Sequence, residues 1–145
     1  MAAGDDPQAL AEAVGRAMLA RDNASRALGM ELLAVAPGRA RMRMRLRDDM
    51  LNGHGTGHGG MVFALADSAF AFACNAHGGT VVALACQITF VAPARPGDEL
   101  EAEVVEQARS GRTGVYDVTV RNQRGETVAL FRGNAYRTRD PAPAP

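Results

Sequence analysis

The sequence predicts an α+β domain in which an antiparallel sheet curls around one long apolar helix. Three observations carry this. Residues from Gly60 to about Ala76 are apolar on every face, with Met61, Val62, Phe63, Leu65, Phe70, Phe72 and Cys74, as in a helix buried all round. Several other stretches alternate apolar and polar residues at the period of a half-buried strand. Those stretches follow one another through short turns rather than through helices, the pattern of an antiparallel sheet.

Taken in order, Asp5 or Asp6 caps a helix with Pro7 at its first position, and Leu10, Val14, Ala17 and Met18 recur at helical spacing up to about Ala20. Residues 29–36 read as a strand ending at the turn dipeptide Pro37-Gly38. In 39–47, Ala40, Met42, Met44 and Leu46 face one way and five arginines the other, so the two strands form a hairpin. That arginine stripe either holds a polyphosphate or forms a solvated face paired with cross-strand acids, which is the blander reading. Glycines at 53, 55, 57, 59 and 60 make a loop that feeds the long helix, and Gly78-Gly79 stops it. Thr80 to Ala92 is then a long strand expected to lie against the helix. Further strands run around Leu100–Val105, Tyr116–Arg121 and Thr127–Tyr136, turning at Ser110–Gly114 and at Arg124-Gly125. The expected organisation is a helical segment at 1–27, one domain at 28–138 and a disordered tail at 139–145.

A formal net charge of +0 gives no field to attract nucleic acid or an anionic membrane. Every basic residue is Arg, which with the abundant Ala reflects compositional bias. Cys74 and Cys86 lack C-x-x-C spacing and read as free thiols, and the opening residues form no secretory signal, so a cytoplasmic protein is expected. The long helix, at roughly 16 residues, falls short of the ~20 that span a bilayer.

Asp67 is the anomaly in that helix, because a carboxylate among apolar residues is costly to desolvate unless it is paired, hydrogen-bonded or protonated. It either bonds a neighbouring backbone group or takes part in a reaction. The glycine-rich entry supplies the other half of a site, since the N–H groups of Gly59 and Gly60 at the positive end of the helix suit a developing oxyanion. Gly59 and Asp67 are eight positions apart, about 12 Å along a helix, too far to act on one carbonyl. Two such helices lying antiparallel across a two-fold axis bring Gly59 of one chain to Asp67 of the other, giving two composite sites per dimer.

The motif N-G-H-G-T-G-H-G-G followed by F-A-L-A-D-S-A-F-A resembles the hotdog-fold acyl-CoA thioesterases of the phenylacetate-degradation (PaaI-like) type, as do I-T-F-V-A-P-A-R-P-G-D and S-G-R-T-G-V-Y-D downstream. The resemblance implies a homodimer with shared active sites, paired again into a homotetramer. It further implies hydrolysis of (hydroxy)phenylacetyl-CoA-like thioesters with no metal and no cofactor beyond the CoA of the substrate. Asp67 matches the catalytic carboxylate, general base or nucleophile. Gly59 matches the residue whose N–H polarises the carbonyl, with Gly60 beside it. Asn52 matches the loop residue that holds water or carbonyl, and His58 the one that shapes the turn. Some relatives orient water with Ser or Thr on the strand after the helix; near that place this chain has Ala83, which leaves the role to Ser68 or to no side chain. Phe63, Phe70, Phe90 and Tyr116 are candidates to line an acyl pocket, or are ordinary core. Arg95, Arg109 and Arg112 are the loop cations that suit the CoA phosphates.

Rival readings are weaker. His54 and His58 have zinc-helix spacing but sit in a glycine loop without an obvious third ligand. The glycines lack the G-K-[ST] of a phosphate loop, no G-x-S-x-G elbow exists, and Cys74 has no evident partner base. A hotdog hydratase or dehydratase, pairing His54 or His58 with Asp67, is the enzymatic alternative. A non-catalytic acyl-CoA-binding domain is the other.

Overall fold

A computed structural model describes residues 6–141. The chain forms α1 (Pro7–Arg21), α2 (Asn23–Ala27), β1 (Glu31–Ala36), β2 (Arg39–Arg45), α3 (Gly59–Asn75), β3 (Val81–Phe90), β4 (Glu99–Ser110), β5 (Thr113–Arg121) and β6 (Thr127–Arg137). The six strands make one antiparallel sheet in the order β1-β2-β4-β5-β6-β3, and α3 packs across it. This is the expected α+β arrangement.

The alternation read from the sequence sets the core. Met42 pairs with Ala102, Ala102 with Val120 and Val118 with Phe131, so inward side chains line up from strand to strand. They meet Leu65, Ala66, Ala69, Phe70 and Phe72 of α3, all buried. Gly133 is glycine because a Cβ there would lie 2.8 Å from the Phe70 ring, which rests directly on β6. The outer stripe of β2 follows the blander expectation: Arg41 bonds Glu101 and Arg43 bonds Glu31, each at 2.7 Å.

Asp6 caps α1 by accepting the Gln8 N–H, while Asp5 lies outside the described residues, as does the tail from residue 142. The helix does not stand apart from the domain, because it packs on β1 and α3, and Met18, Leu19 and Leu28 join the core. Two short elements were not expected: α2, started by Asp22 accepting the Ser25 N–H, and a single 3-10 turn at Asp48–Met50. Neither has the length to show a periodicity.

Two expectations need correction. Residues 80–92 do not all lie against the helix: β3 is the sheet edge, Val81, Cys86 and Ile88 face the core, and Val82 and Leu84 are exposed. Nor does one chain bury α3 all round. Gly60, Ala64, Asp67 and Ala71, spaced four, three and four, form a stripe that sheet and outer helices leave at least partly open. Asn75 fixes the far end of the helix, giving its amide to the Ala71 and Val81 carbonyls and accepting the Val81 N–H, and Gly78 and Gly79 at positive φ turn the chain into β3.

Candidate active site

The loop before α3 is held by its own side chains. Asn52 Oδ1 accepts the N–H groups of His54 (2.9 Å) and Thr56 (3.1 Å), and its amide donates to Thr56 Oγ1. The Gly57 N–H donates to the Ala94 carbonyl and that of His58 to Met50, each at 2.8 Å. A Cβ at Gly57 would sit 2.9 Å from Leu46, so the close approach needs glycine. Asn52 therefore organises the loop with its carbonyl oxygen already engaged.

His58 is the N-cap of α3, and its Nδ1 accepts the Gly60 N–H at 2.9 Å. This changes the expected oxyanion end, in which Gly59 and Gly60 were both unpaired. Gly60 is occupied, and the Gly59 N–H is the one that meets no acceptor among the described residues. His58→Ala should cost about 0.5–2 kcal/mol of stability, as loss of a cap does, measured by denaturant unfolding. The Phe90 ring lies over Gly59, where a Cβ would be 3.0 Å from its Cζ. Phe90, Asn52, Val62 and Pro93 surround Gly59 in one open groove.

Asp67 lies half-buried on the open stripe, and burial raises its pKa above the ordinary 3.8. The thiol of Cys86 approaches its Oδ1 at 4.0 Å, a weak donor at long range. The sequence reading looked for the facing strand residue near Ala83. A bulge between Ala83 and Ala85 shifts the alternation, so Cys86 is the residue turned inward. The Cys74 thiol is pushed up to about 12 by burial, which makes it a poor nucleophile at neutral pH.

Other predicted site residues are dispersed. The Ser68 hydroxyl lies 2.9 Å from that of Ser25, which donates to Asp22 at 2.6 Å, so Ser68 ties α3 to α2 rather than sharing Asp67's face. Phe70 and Tyr116 are buried core, tilted against each other at 5.5 Å. Phe63 remains half-buried, edge-on to Phe131 at 5.4 Å. Arg95 belongs to the turn beside Ala94 near the Gly59 loop, whereas Arg109 and Arg112 lie at the opposite end of the sheet with His77. His54 is exposed in the loop, and no three His, Cys, Asp or Glu side chains cluster as a metal site among the described residues. Sequence reasoning missed one network altogether: His77 Nε2 lies 2.7 Å from Glu106 Oε2, which also accepts the Tyr116 O–H at 2.8 Å. Burial raises the Glu106 carboxyl, but these two hydrogen bonds together with nearby positive charge, Arg109 included, outweigh it and the net shift is downward. No motif spacing links residues 77, 106 and 116.

The structure thus presents an N–H without an acceptor among the described residues at a helix start and a partly desolvated carboxylate two turns on. Residues 54–129 match the thioesterase superfamily. The chain is 45% identical over 121 residues to the acyl-coenzyme A thioesterase PaaI of Escherichia coli K12, covering 83% of this chain and 86% of that protein. The solved structure of the E. coli PaaI protein from the phenylacetic acid degradation operon superposes with a TM-score of 0.92 at 40% identity, covering 94% of this chain and 99% of that one. Smu.793 of Streptococcus mutans UA159, solved with acetyl CoA bound, matches with a TM-score of 0.74 at 26% identity, over 77% of this chain and 90% of that one. The fold, the glycine-entered helix and these likenesses agree: the chain belongs to the thioesterase superfamily, as a hotdog-fold, PaaI-like acyl-CoA thioesterase.

Proposed function

We propose that the protein hydrolyses phenylacetyl-CoA or hydroxylated phenylacetyl-CoA to the free acid and CoA, at composite sites shared by two chains. The open stripe Gly60, Ala64, Asp67 and Ala71 carries this reading. Its small residues let a second α3 approach closely, and an antiparallel crossing sets the partner's free Gly59 N–H against Asp67. The β3 edge, with Leu84 61% exposed and Phe90 52%, supports the same assembly, because a second copy would cover it. Val82, Leu130 and Tyr136 on the outer sheet face are the apolar surface that a further pairing into a homotetramer would bury.

In this mechanism Asp67 takes a proton from water as the oxygen adds to the thioester carbon. The Gly59 N–H holds the resulting oxyanion. Collapse breaks the C–S bond, and the CoA sulfur leaves with the proton from Asp67. No metal or cofactor takes part, and the free thiols of Cys74 and Cys86 suit a reducing cytoplasm.

The aromatic preference rests on Phe90 and Phe63 near Gly59 and on the PaaI relative; Phe70 and Tyr116 are committed to the core. Thiol release from a panel of acyl-CoAs, after EDTA treatment, tests both class and preference. Aromatic acyl groups should lead, with activity retained after EDTA. Long aliphatic chains ahead by a wide margin would overturn the preference, no release from any substrate would point to a binding domain, and loss of an enoyl double bond without thiol would point to a hydratase.

A further inference from the structure

Ser25 of α2 is 1% exposed, a buried hydroxyl that the mechanism does not use. A buried hydroxyl needs a partner, and Ser25 is pinned at three atoms. Its N–H donates to Asp22 Oδ1 at 2.9 Å, its Oγ donates to Asp22 Oδ2 at 2.6 Å, and its carbonyl accepts the Met30 N–H at 2.9 Å. A carboxylate accepts, so the Ser25 proton points to Asp22 and the Ser25 oxygen is left to accept in turn. Its donor is Ser68, whose hydroxyl lies 2.9 Å away on α3. A serine within a helix commonly turns its hydroxyl back to the carbonyl four residues earlier; Ser68 reaches across to another element.

Ser68 follows Asp67, some 100° around the helix. The stripe that carries Asp67 is otherwise Gly60, Ala64 and Ala71, so within one chain it offers no large side chain to resist a roll of α3. On the sheet side the grip comes from Leu65, Phe70 and Phe72, through dispersion contacts that have little directionality. The hydrogen bonds from Ser68 through Ser25 to Asp22 are directional. A side-chain tip stands about 5 Å from a helix axis, so a roll of about 10° moves the Asp67 carboxylate by about 1 Å. A displacement of that size at a reacting group costs up to about 10²-fold in rate.

We infer that Ser25 and Ser68 are positioning residues for thioester hydrolysis: the Asp22–Ser25–Ser68 chain fixes the roll of α3 and so aims Asp67 at the reacting carbon. The inference rests on the reading of Asp67 as the general base. It gives α2 a part in catalysis at a distance from the reacting atoms.

The test is steady-state kinetics of the full chain on the best substrate of the acyl-CoA panel, well below Tm. Ser68→Ala and Ser25→Ala should each lower kcat about tenfold while KM stays within about twofold. The double variant should lose little beyond either single one, because one chain of bonds is broken in each case. Ser68→Thr keeps the hydroxyl and should retain kcat. Ser68 is half-buried, so Ser68→Ala decides if Ser25→Ala does not fold. Val14→Ala trims a buried side chain of α1 outside this chain of bonds and controls for general loosening; its kcat should be unchanged. Wild-type kcat in the alanine variants, additive losses, or an equal fall in Val14→Ala would overturn the inference. Asp67→Asn separates it from the reading beneath. Full activity there would remove the general base itself, whereas loss there beside wild-type kcat in Ser25→Ala and Ser68→Ala would remove the positioning role alone.

Discussion

Replacing Asp67 with Asn should lower kcat by about 10²- to 10⁴-fold, the usual range for removing a general base, while the protein folds at least as well as before. The stability half of this result follows from the raised pKa. Because the folded pKa lies above the unfolded one, the native state favours the proton. The stability that Asp67 offers is present below the unfolded pKa and lost as pH rises through the folded pKa. At pH 7 the wild type therefore holds a desolvated carboxylate that the neutral amide avoids. Asp67→Asn should accordingly raise Tm at pH 7, with a smaller gain near pH 4, in thermal scans at both values. The acid limb of kcat/KM should also lie above the ordinary aspartate range, since activity needs the carboxylate. A variant that lost activity and stability together at pH 7 would mark Asp67 as a structural residue, contrary to this mechanism.

Mixing two inactive variants should regenerate about a quarter of wild-type activity if each site draws on both chains. The first is Asp67→Asn, and the second is Gly59→Pro, which removes the one free N–H at the start of α3. Proline suits the first helical position, and His58 before it already has an extended backbone, with ψ 129. The added carbons press on Phe90, so circular dichroism should confirm that this variant folds. With random exchange about half the dimers are mixed, and each has one interface with both good halves and one with both bad halves. Verified heterodimers without recovered activity would place both groups in one chain and end the antiparallel-helix arrangement. Activity retained by Gly59→Pro alone would remove the N–H from the mechanism.

Much of this was legible in the sequence because it is local. The inward faces of 39–47, 100–105 and 116–121 follow from alternation, and the glycine loop and the carboxylate stranded in an apolar helix stand out in the sequence as a candidate site. Helical rise also separates Gly59 from Asp67 by about 12 Å, which is what prompts the proposal of a site shared by two chains. What only tertiary structure decided is where each polar group spends its hydrogen bonds and which elements become neighbours. His58 turned back onto Gly60 and left Gly59 as the free donor; Ser68, one residue from Asp67, points some 100° around the helix to Ser25. A bulge between Ala83 and Ala85 shifts the alternation, and Cys86 is the β3 residue whose side chain approaches Asp67. The order β1-β2-β4-β5-β6-β3 set Arg41, Arg43 and Arg45 beside acids of β1 and β4, and left Arg109, Arg112 and Arg137 around one cavity with no carboxylate within salt-bridge distance among the described residues. Periodicity in a sequence reports which face of an element is apolar, because that is repeated every two or 3.6 residues. Pairing between elements distant in sequence, such as β3 with β6 or His77 with Glu106 29 positions on, depends on strand order and register, which the cooperative packing of the whole core selects and no local pattern contains.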